Sequence, residues 1–475
     1  MSRNLAKTTL ILSVAVLLIL GLLVFRPGYL ASPSGLTMLI GGELLLVAAA
    51  NYRRIFLPLV FVCFLFAGTG VPFRVEFLQA RWAVLALAAI IGLAVYMKTR
   101  VQSFRTFHMV ALFCVLSALV SASVSVYPSE ALLKALSFLL LFIYVAAGAR
   151  TAIPLQAERF FLSLVTAVEI LVGLTAICYF ALRNAVFGNP NSLGAAMAVA
   201  CVPVLLWAFL TAPSRGRRMR LGFDLTLAFL LLLSSFSRAA ILAGAVSSLL
   251  VCISLREYRV LIRGTAVALL LAICAITLVP RQSNAPSTDP SESFASVFLY
   301  KGKRQQGVFG SRRSVWQQTW NVIREKPWFG SGFGTSETSA DMTKLDYAAS
   351  HIDSWVVREH GNSYLAIIEW TGLLGVVPFY ALVLLAARNA GFIFAWARRT
   401  QDVFSPAIPA AAIVTAGLID AMFEDWLFAV GYYVCVFFWV MAFVLVDLMP
   451  PRGPLVYSPR PVVPDQGFGI AVPTR

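Results

Sequence analysis

The sequence predicts an all-α polytopic membrane protein with about fourteen transmembrane helices and one large periplasmic loop. Three observations support this fold class. The 475 residues are 59% hydrophobic and only 13% charged, and the mean hydropathy is +0.82. A soluble domain with so few charged residues could not cover its surface with polar groups. The apolar residues also fall into segments of roughly twenty residues, the length that crosses the hydrocarbon core of a bilayer.

These segments form two transmembrane blocks separated by a polar interval. Residues 1–280 contain the predicted helices 1–11, residues 281–361 the periplasmic loop with short helices, residues 362–446 the helices 12–14, and residues 447–475 a cytoplasmic tail. The predicted spans lie at 8–25, 33–50, 55–73, 79–97, 108–126, 130–149, 158–182, 191–211, 221–236, 239–255, 262–280, 363–386, 405–423 and 426–446.

Basic residues alternate between the two predicted membrane faces. With a cytoplasmic N-terminus, the inner connections are rich in arginine, as at Arg105, Arg217 and Arg388, whereas the outer connections carry few charges. This positive-inside pattern predicts that both termini are cytoplasmic and that the long loop is periplasmic. The net charge of +16 is then explained by anionic lipid headgroups, and no nucleic-acid partner is expected.

Cysteine and glycine patterns exclude several other classes. All seven cysteines lie in apolar segments, which excludes a disulfide-stapled external domain, and their spacing matches no metal site. No phosphate-cradling glycine loop of the P-loop type is present. The sequence therefore predicts neither a bound metal nor a cofactor.

The polar interval from residue 311 to residue 375 contains the groups best suited to chemistry. It holds His351 and His360, two of the three histidines, together with Arg312 and Arg313 before a tryptophan-bearing helix. A long polar segment between the transmembrane helices of a membrane protein is usually used for recognition or catalysis.

Three arginines are candidate ligands of a diphosphate. Arg238 lies at the outer turn of a predicted helical hairpin, where a guanidinium either anchors in the headgroups or pairs with an anion. Guanidinium binds phosphate oxygens through a bidentate fork. Arg312 and Arg313 are either solvated loop residues or further ligands of the same group.

His360, just before the helix that starts near residue 363, is the candidate general base. A neutral imidazole there could accept the proton of an attacking hydroxyl, while the alternative is a hydrogen-bonded loop histidine. His351 is the rival base. His108, on the predicted cytoplasmic side, is expected to be structural.

Carboxylates and an amide near His360 are candidate glycan ligands. They are Asn362, Glu369 and Glu424, and His351 is a further candidate ligand of the glycan. Glu369 could equally be a buried hydrogen-bonding partner, and Glu424 with its neighbour Asp425 could orient a sugar or cap a helix.

Several sequence motifs lie between about residues 184 and 445. They are FGNPNSLG from Phe187 to Gly194, SFSRAAIL around Arg238, Arg312-x-x-x-Trp316 leading to Pro327, Phe329, Gly330, Gly332 and Gly334, Asn362 followed by Gly372-x-x-Gly375, and FEDWLFAVGYYVCVFFW from Phe423 to Trp439. Together they resemble the O-antigen ligase and polysaccharide polymerase superfamily of bacterial inner-membrane proteins. One departure is that the family usually has asparagine directly after the histidine, whereas Gly361 separates His360 from Asn362 here.

The resemblance implies transfer of a glycan from an undecaprenyl-diphosphate carrier to an acceptor sugar hydroxyl, at the periplasmic face of the inner membrane and without metal or nucleotide sugar. By position, it implies His360 as the base and Arg238 and Arg312 as diphosphate ligands. Likeness of the FEDWLFAVG segment favours a polymerase of O-antigen or exopolysaccharide, whose acceptor is another lipid-linked repeat unit. A ligase that transfers the polymer to lipid A-core remains open.

Two alternatives come from other classes. A flippase of lipid-linked oligosaccharides would be expected to carry its charges inside the spans. Here Lys134 and Glu169 are the exceptions in spans otherwise almost free of charge, which favours the enzyme. A structural scaffold of an export complex would predict that no single outer arginine matters.

Overall fold

A computed structural model shows a helical membrane protein. Over the residues it describes, the secondary structure is helical and contains no strand, so the all-α class is confirmed. Five helical segments in this part of the chain are long and apolar enough to cross a membrane. The predicted span at 8–25 lies outside it, the span at 33–50 is described only at positions 42 and 47, and the total of fourteen stays a prediction. The described residues are 51–71, 74–99, 103–183, 186–278, 310–336 and 359–450, with the single positions 28, 42 and 47.

Apart from one helix in the polar interval, the described helices coincide with predicted spans, with shifts at their ends. The largest shift is in the first helix after the polar interval, which is predicted to end at residue 386 but continues to Thr400. The helices are α1 (Tyr52–Ala67), α2 (Arg74–Thr99), α3 (Thr106–Ser123), α4 (Pro128–Ile143), α5 (Ala157–Ala176), α6 (Pro190–Leu210), α7 (Arg215–Ser234), α8 (Arg238–Ser254), α9 (Tyr258–Leu278), α10 (Gly310–Glu325), α11 (Ser363–Thr400), α12 (Ala407–Asp420) and α13 (Tyr433–Leu448).

Helix α13 is the centre of the packing. Every residue from Tyr433 to Val446 is buried, as expected for a helix that is apolar on all sides. Trp439 is the largest fully buried side chain, and its ring packs edge-on against Phe142 with ring centroids 5.2 Å apart. Its indole Nε1 donates to the carbonyl of Leu427 at 2.7 Å. Aromatic pairs of this kind contribute about 0.5–1.5 kcal/mol each beyond area burial.

A buried ion pair ties α13 to the segment that follows α4. The Arg150 guanidinium donates to both carboxylate oxygens of Asp447, from Nε at 2.5 Å and from Nη2 at 2.8 Å, and Nη2 also donates to the carbonyl of Ser103. The two side chains are 1% and 0% exposed. The burial of Arg150 depends on a partner almost 300 residues away in the chain, which no local sequence pattern shows.

Helix α11 is broken near its start, and the break positions the candidate site. Gly372 adopts φ 58° and ψ −160°, a conformation open mainly to glycine. The break frees backbone groups that residues 327–332 satisfy, so the polar segment after α10 is fixed against α11. Irregular backbone of this kind is tolerated in a membrane protein where other protein groups bury and pair it. The hydrogen bonds are Ser331 N to Glu369 O (2.8 Å), Gly332 N to Trp370 O (3.1 Å), Leu373 N to Pro327 O (2.8 Å) and Leu374 N to Trp328 O (3.1 Å).

Candidate functional site

The start of α11 anchors the candidate site. Asn362 caps the helix, its Oδ1 accepting from two backbone amides of the first turn. The amide of Ser363 donates to the carbonyls of Ala421 and Glu424, each at 3.0 Å. Its hydroxyl donates to the Glu424 carbonyl and accepts from the amide of Leu427. These bonds fix the loop between α12 and α13 against the residues that precede α11.

His360 lies directly behind this loop with both ring nitrogens engaged. Nε2 is 3.0 Å from Ser336 Oγ and 3.1 Å from Glu369 Oε1. Nδ1 is 3.4 Å from Asp425 Oδ2, and the backbone amide of His360 donates to the same oxygen at 2.7 Å. The imidazole is fully buried, so its partners are fixed protein groups, two of them carboxylates.

The carboxylates around His360 shift its pKa and that of Asp425 in opposite directions. Burial lowers the pKa of His360, but hydrogen bonds with Asp425 and Glu369, and the charges of both, outweigh it and raise the pKa above its ordinary value. For Asp425, burial raises the pKa, while the hydrogen bonds from the ring and amide of His360 and its positive charge prevail and lower it. The neutral imidazole base expected from the sequence stays a prediction.

Arg312 reaches over the same segment from α10. Its Nη2 donates to Glu424 Oε1 at 2.5 Å, and its Nη1 donates to Glu359 Oε1 at 3.4 Å. One helical turn later, Trp316 Nε1 donates to the carbonyl of Gly361 at 3.4 Å. The Arg312-x-x-x-Trp316 spacing thus places both side chains on one face of α10, above residues 359–361.

Gly361 is required by the path of Arg312. Its φ is +60°, and a Cβ placed there would clash with Arg312 Nη1. The residue that departs from the usual family pattern therefore has a steric reason: it lets the guanidinium cross the backbone between His360 and Asn362.

Arg238 lies at the same end of the molecule. It is the first residue of α8, after a turn in which Phe236 has φ 50°, and it is partly exposed. Its charge interacts electrostatically with that of Arg312. Two like charges therefore lie near each other at this end, and Glu424 pairs with one of them, Arg312.

The segment FGNPNSLG also contributes to this end. Asn189 caps α6 by accepting from the amide of Asn191 at 2.8 Å. Asn191 Nδ2 then donates to Glu424 Oε1 at 2.9 Å. Gly194 lets α6 approach the start of α8, since a Cβ there would lie 2.8 Å from that of Ser237. Asparagines, glutamate and both arginines are therefore held together by close helix packing.

A polar cavity of about 280 Å³ opens beside these groups. Amides, carboxylates and aromatic rings are the groups that bind sugar hydroxyls and sugar faces, so the cavity suits a glycan. Its lining includes Asn189, Asn191, Glu359, Glu424, Asp425, Trp426 and Tyr432.

An apolar groove of about 540 Å³ lies close to this cavity. Consecutive residues line the two, since Tyr432 lines the cavity and Tyr433 the groove, and likewise Ala195 and Ala196. The groove is bounded on one side by α1 and on the other by α5, through Leu57, Phe61, Leu65, Phe160, Leu164 and Leu171. A polar cavity close to an apolar groove matches a ligand with a polar head and a hydrocarbon tail.

The structure places the predicted residues as follows. His360, Arg312, Glu424 and Glu369 form one connected cluster, with Arg238 beside it. Asn362 uses its side-chain oxygen as a helix cap, Arg313 is exposed on α10, and His351 lies outside the described residues. His108 is buried near the start of α3, where its Nδ1 accepts from the amide of Arg105 at 3.1 Å, and its structural role stays a prediction.

Sequence reasoning missed three members of the cluster. Asp425 was considered only together with Glu424, although its place in the FEDW segment was a usable signal. Asn191 lay in a quoted motif without an assigned role, and Ser336 carried no signal. Among the described residues, no group of histidine, cysteine, aspartate or glutamate is arranged to hold a metal ion.

Comparison with protein families identifies residues 225–380 as a match to the family model described as O-antigen ligase. The match contains Arg238, Arg312 and Asn362 and confirms the resemblance to the O-antigen ligase and polymerase superfamily. It stops short of the FGNPNSLG segment on one side and the FEDWLFAVG segment on the other. A comparison of the chain with curated proteins finds no match.

Proposed function

We propose that this chain, with its O-antigen ligase domain at residues 225–380, transfers a glycan from undecaprenyl diphosphate to a sugar hydroxyl at the periplasmic face of the inner membrane. The observation that carries the proposal is the pairing of Arg312 with Glu424, which lines a polar cavity close to an apolar groove. Neither a cavity without the groove nor arginines without the cavity would suit a lipid-linked glycan.

The diphosphate is the partner that the arginines suit best. Glu359, the weaker partner of Arg312, is 69% exposed and 3.4 Å away, so a phosphate oxygen can replace it at little cost. Arg238 lies close enough to Arg312 for their charges to repel, and a shared dianion would remove that repulsion. Fixed cations at this position stabilise the negative charge that develops on the leaving diphosphate.

The apolar groove supplies a place for the prenyl tail. Its walls are mostly aliphatic and aromatic side chains, with Gln156, Arg159 and Ser163 as polar exceptions, and the polar cavity close to it would receive the sugar. Binding energy from the tail would then hold the reacting carbon at the cavity rather than contribute to chemistry directly.

Asp425 is the group best placed to take the proton of the acceptor hydroxyl. It lines the cavity, whereas the buried His360 contacts it from behind. As the acceptor oxygen attacks the anomeric carbon, its proton passes to the Asp425 carboxylate and the bond from the carbon to the diphosphate oxygen breaks. The electron pair of that bond stays on the diphosphate, and a single displacement inverts the anomeric configuration. His360 is then a positioning residue, which orients and charge-stabilises Asp425.

The acceptor distinguishes a polymerase from a ligase. On the likeness of the FEDWLFAVG segment we favour a polymerase, whose acceptor is a second lipid-linked repeat unit. Purified protein is incubated with undecaprenyl-diphosphate repeat units alone and with lipid A-core. Chain growth without core supports the polymerase, and transfer only onto core supports the ligase. Movement of the substrate across a vesicle bilayer without any transfer would overturn both and favour a flippase.

Arginine variants test the diphosphate assignment. Arg312→Ala and Arg312→Lys should each lower transfer about 100-fold or more, since lysine cannot reproduce the bidentate fork. Arg324→Ala, an exposed position on the same helix, is the matched control and should retain full transfer. Undiminished transfer by Arg312→Ala protein would remove the assignment. The same assay on Arg313→Ala decides whether Arg313 is also a ligand.

Variants at the acid and the histidine separate their roles. Asp425→Asn should lower transfer about 10²–10⁴-fold, the usual contribution of a general base, while His360→Gln should lower it less and shift the pH profile. The opposite ranking, with Asp425→Asn nearly active and His360→Gln inactive, would support His360 as the base, the role first predicted from the sequence.

A further inference from the structure

A second polar cavity lies at the other end of α11 from His360. Its volume is about 390 Å³. Arg388 in its lining is 26 residues beyond the Asn362 cap, roughly 40 Å along the helix, so this cavity lies at the opposite membrane face. The lining consists of Arg105, Thr106, Phe107, Leu385, Arg388, Asn389, Val446, Met449 and Pro450.

The lining is positively charged and contains no acid. Arg105 is held at the start of α3, where its Nη1 donates to the carbonyl of Val446 at 2.8 Å. Arg388 is exposed on α11 and makes no ion pair with any residue in the described ranges. The first amides of α3 also lie at this cavity, at Thr106 and Phe107, and helix N-termini favour anions.

Asn389 is the independent observation that indicates a ligand. It lines the cavity but is only 5% exposed, and its carboxamide forms no hydrogen bond with the part of the chain that the structure describes. Buried polar groups are nearly always paired in folded proteins. An amide that faces a cavity without a protein partner is therefore placed to bind something in that cavity.

We propose that this cavity binds the phosphate group of an anionic phospholipid. Arg105, Arg388 and the carboxamide of Asn389 would donate to the phosphate oxygens, as basic pockets between transmembrane helices do with lipid headgroups. A free phosphate ion has the same charge chemistry. The lipid is favoured because half of the lining is apolar and because the cavity lies at helix ends, at the level of the headgroups. The bound lipid would join α3, α11 and α13 at the face opposite the candidate site.

Thermal unfolding of the purified full-length protein tests this proposal. The protein is kept in a neutral detergent and titrated with phosphatidylglycerol, with phosphatidylcholine, or with inorganic phosphate. Phosphatidylglycerol should raise the Tm of the wild type, and the two other additions should not. Asn389→Leu should leave the Tm without lipid unchanged or higher, because Asn389 has no protein partner to lose, yet weaken phosphatidylglycerol binding about tenfold.

Arg388→Gln should weaken binding to a similar degree. The matched control is Arg398→Gln, which removes an equally exposed charge from the same helix outside the cavity and should bind as the wild type does. Equal losses in Arg388→Gln and Arg398→Gln, or wild-type affinity in Asn389→Leu, would overturn the site. A Tm increase with inorganic phosphate equal to that with phosphatidylglycerol would overturn the lipid assignment in favour of a free anion.

Discussion

At the level of single residues, the histidine and the arginine of the candidate site are coupled through Gly361. The backbone at Gly361 turns with a positive φ beneath the Arg312 guanidinium, while its neighbour His360 binds Asp425 through backbone and ring. A change at this position therefore affects both the cation that would bind the diphosphate and the acid that would act as base.

Gly361→Ala should abolish most glycan transfer while leaving a foldable protein. The added methyl group would clash with Arg312 and impose about 1–3 kcal/mol of backbone strain. Transfer assays and Tm measurements check this. Gly391→Ala is the control, since a Cβ at Gly391 meets nothing within 4 Å. Equal activity in both variants would contradict the role given to Gly361.

The pair of His360 and Asp425 should make stability depend on pH. Because the pKa of His360 is raised in the fold, its contribution is complete below about pH 6.5, the unfolded value. It is lost as the pH rises through the raised pKa. Because the pKa of Asp425 is lowered, its contribution is present above about pH 3.9 and is lost only as the pH falls through the lowered pKa.

The Tm difference between wild type and Asp425→Asn should therefore be largest near pH 5 to 6.5 and shrink at higher pH. Thermal unfolding across pH 5 to 9 measures it, with Glu325→Gln, an exposed acid on α10, as the control. A Tm difference that stays constant over this range would show that the two groups are not ionically coupled.

At the level of helices, two joints hold the candidate site. One is the break at Gly372, where backbone groups of α11 pair with residues 327–332. The other is the loop between α12 and α13, which Ser363 binds through its amide and hydroxyl. Both joints use backbone groups freed at helix ends or kinks, so the site rests on rigid elements although its residues lie between helices.

The buried ion pair of Arg150 and Asp447 is a third joint, at the far end of α13. Asp447→Asn should destabilise the protein by about 3–5 kcal/mol, because it leaves a buried guanidinium without its counter-charge. Glu169→Gln, which removes the partner of the 63% exposed Arg220, should cost about 0–1 kcal/mol. Tm in detergent compares the two, and similar values would contradict the burial argument. The paired replacement of Arg150 by Met and Asp447 by Leu should recover much of the loss.

At the level of the whole molecule, polar groups gather at both ends of the helix bundle. One end contains the candidate site, in which carboxylates and arginines lie together. The other end contains the basic cavity lined by Arg105 and Arg388. Helix α11 connects the two ends. The catalytic proposal and the lipid proposal thus concern opposite membrane surfaces.

This separation predicts the outcome of labelling in cells. Arg313→Cys, exposed on α10, should react with a membrane-impermeant maleimide added from the periplasm. Arg388→Cys should react only after the inner membrane is opened. Most cysteines in the described residues are buried, so their background should be low. Labelling of both positions from the same side would contradict the topology derived from the basic residues.

The sequence was sufficient to predict the all-α membrane class, the positions of the described helices and the resemblance to the family, because each of these depends on local signals. Apolar length defines a span whatever surrounds it, and the arginines at Arg238 and Arg312 stand in short motifs. The sequence, in contrast, shows Gly361 only as an extra residue between the histidine and the asparagine of the motif. Its steric role depends on the side chain of Arg312, 49 positions earlier in the chain.

The sequence alone was therefore enough to predict the all-α membrane class, the positions of the described helices, and the residue types proposed to suit a diphosphate-linked glycan. Only the tertiary structure decided which of them meet: His360 is buried behind Asp425, Asn362 is a helix cap, and Arg312 pairs with Glu424. The physical reason is that hydropathy shows whether a segment is suited to the bilayer. The contacts of a side chain are instead determined by helix packing, which brings together residues far apart in the chain.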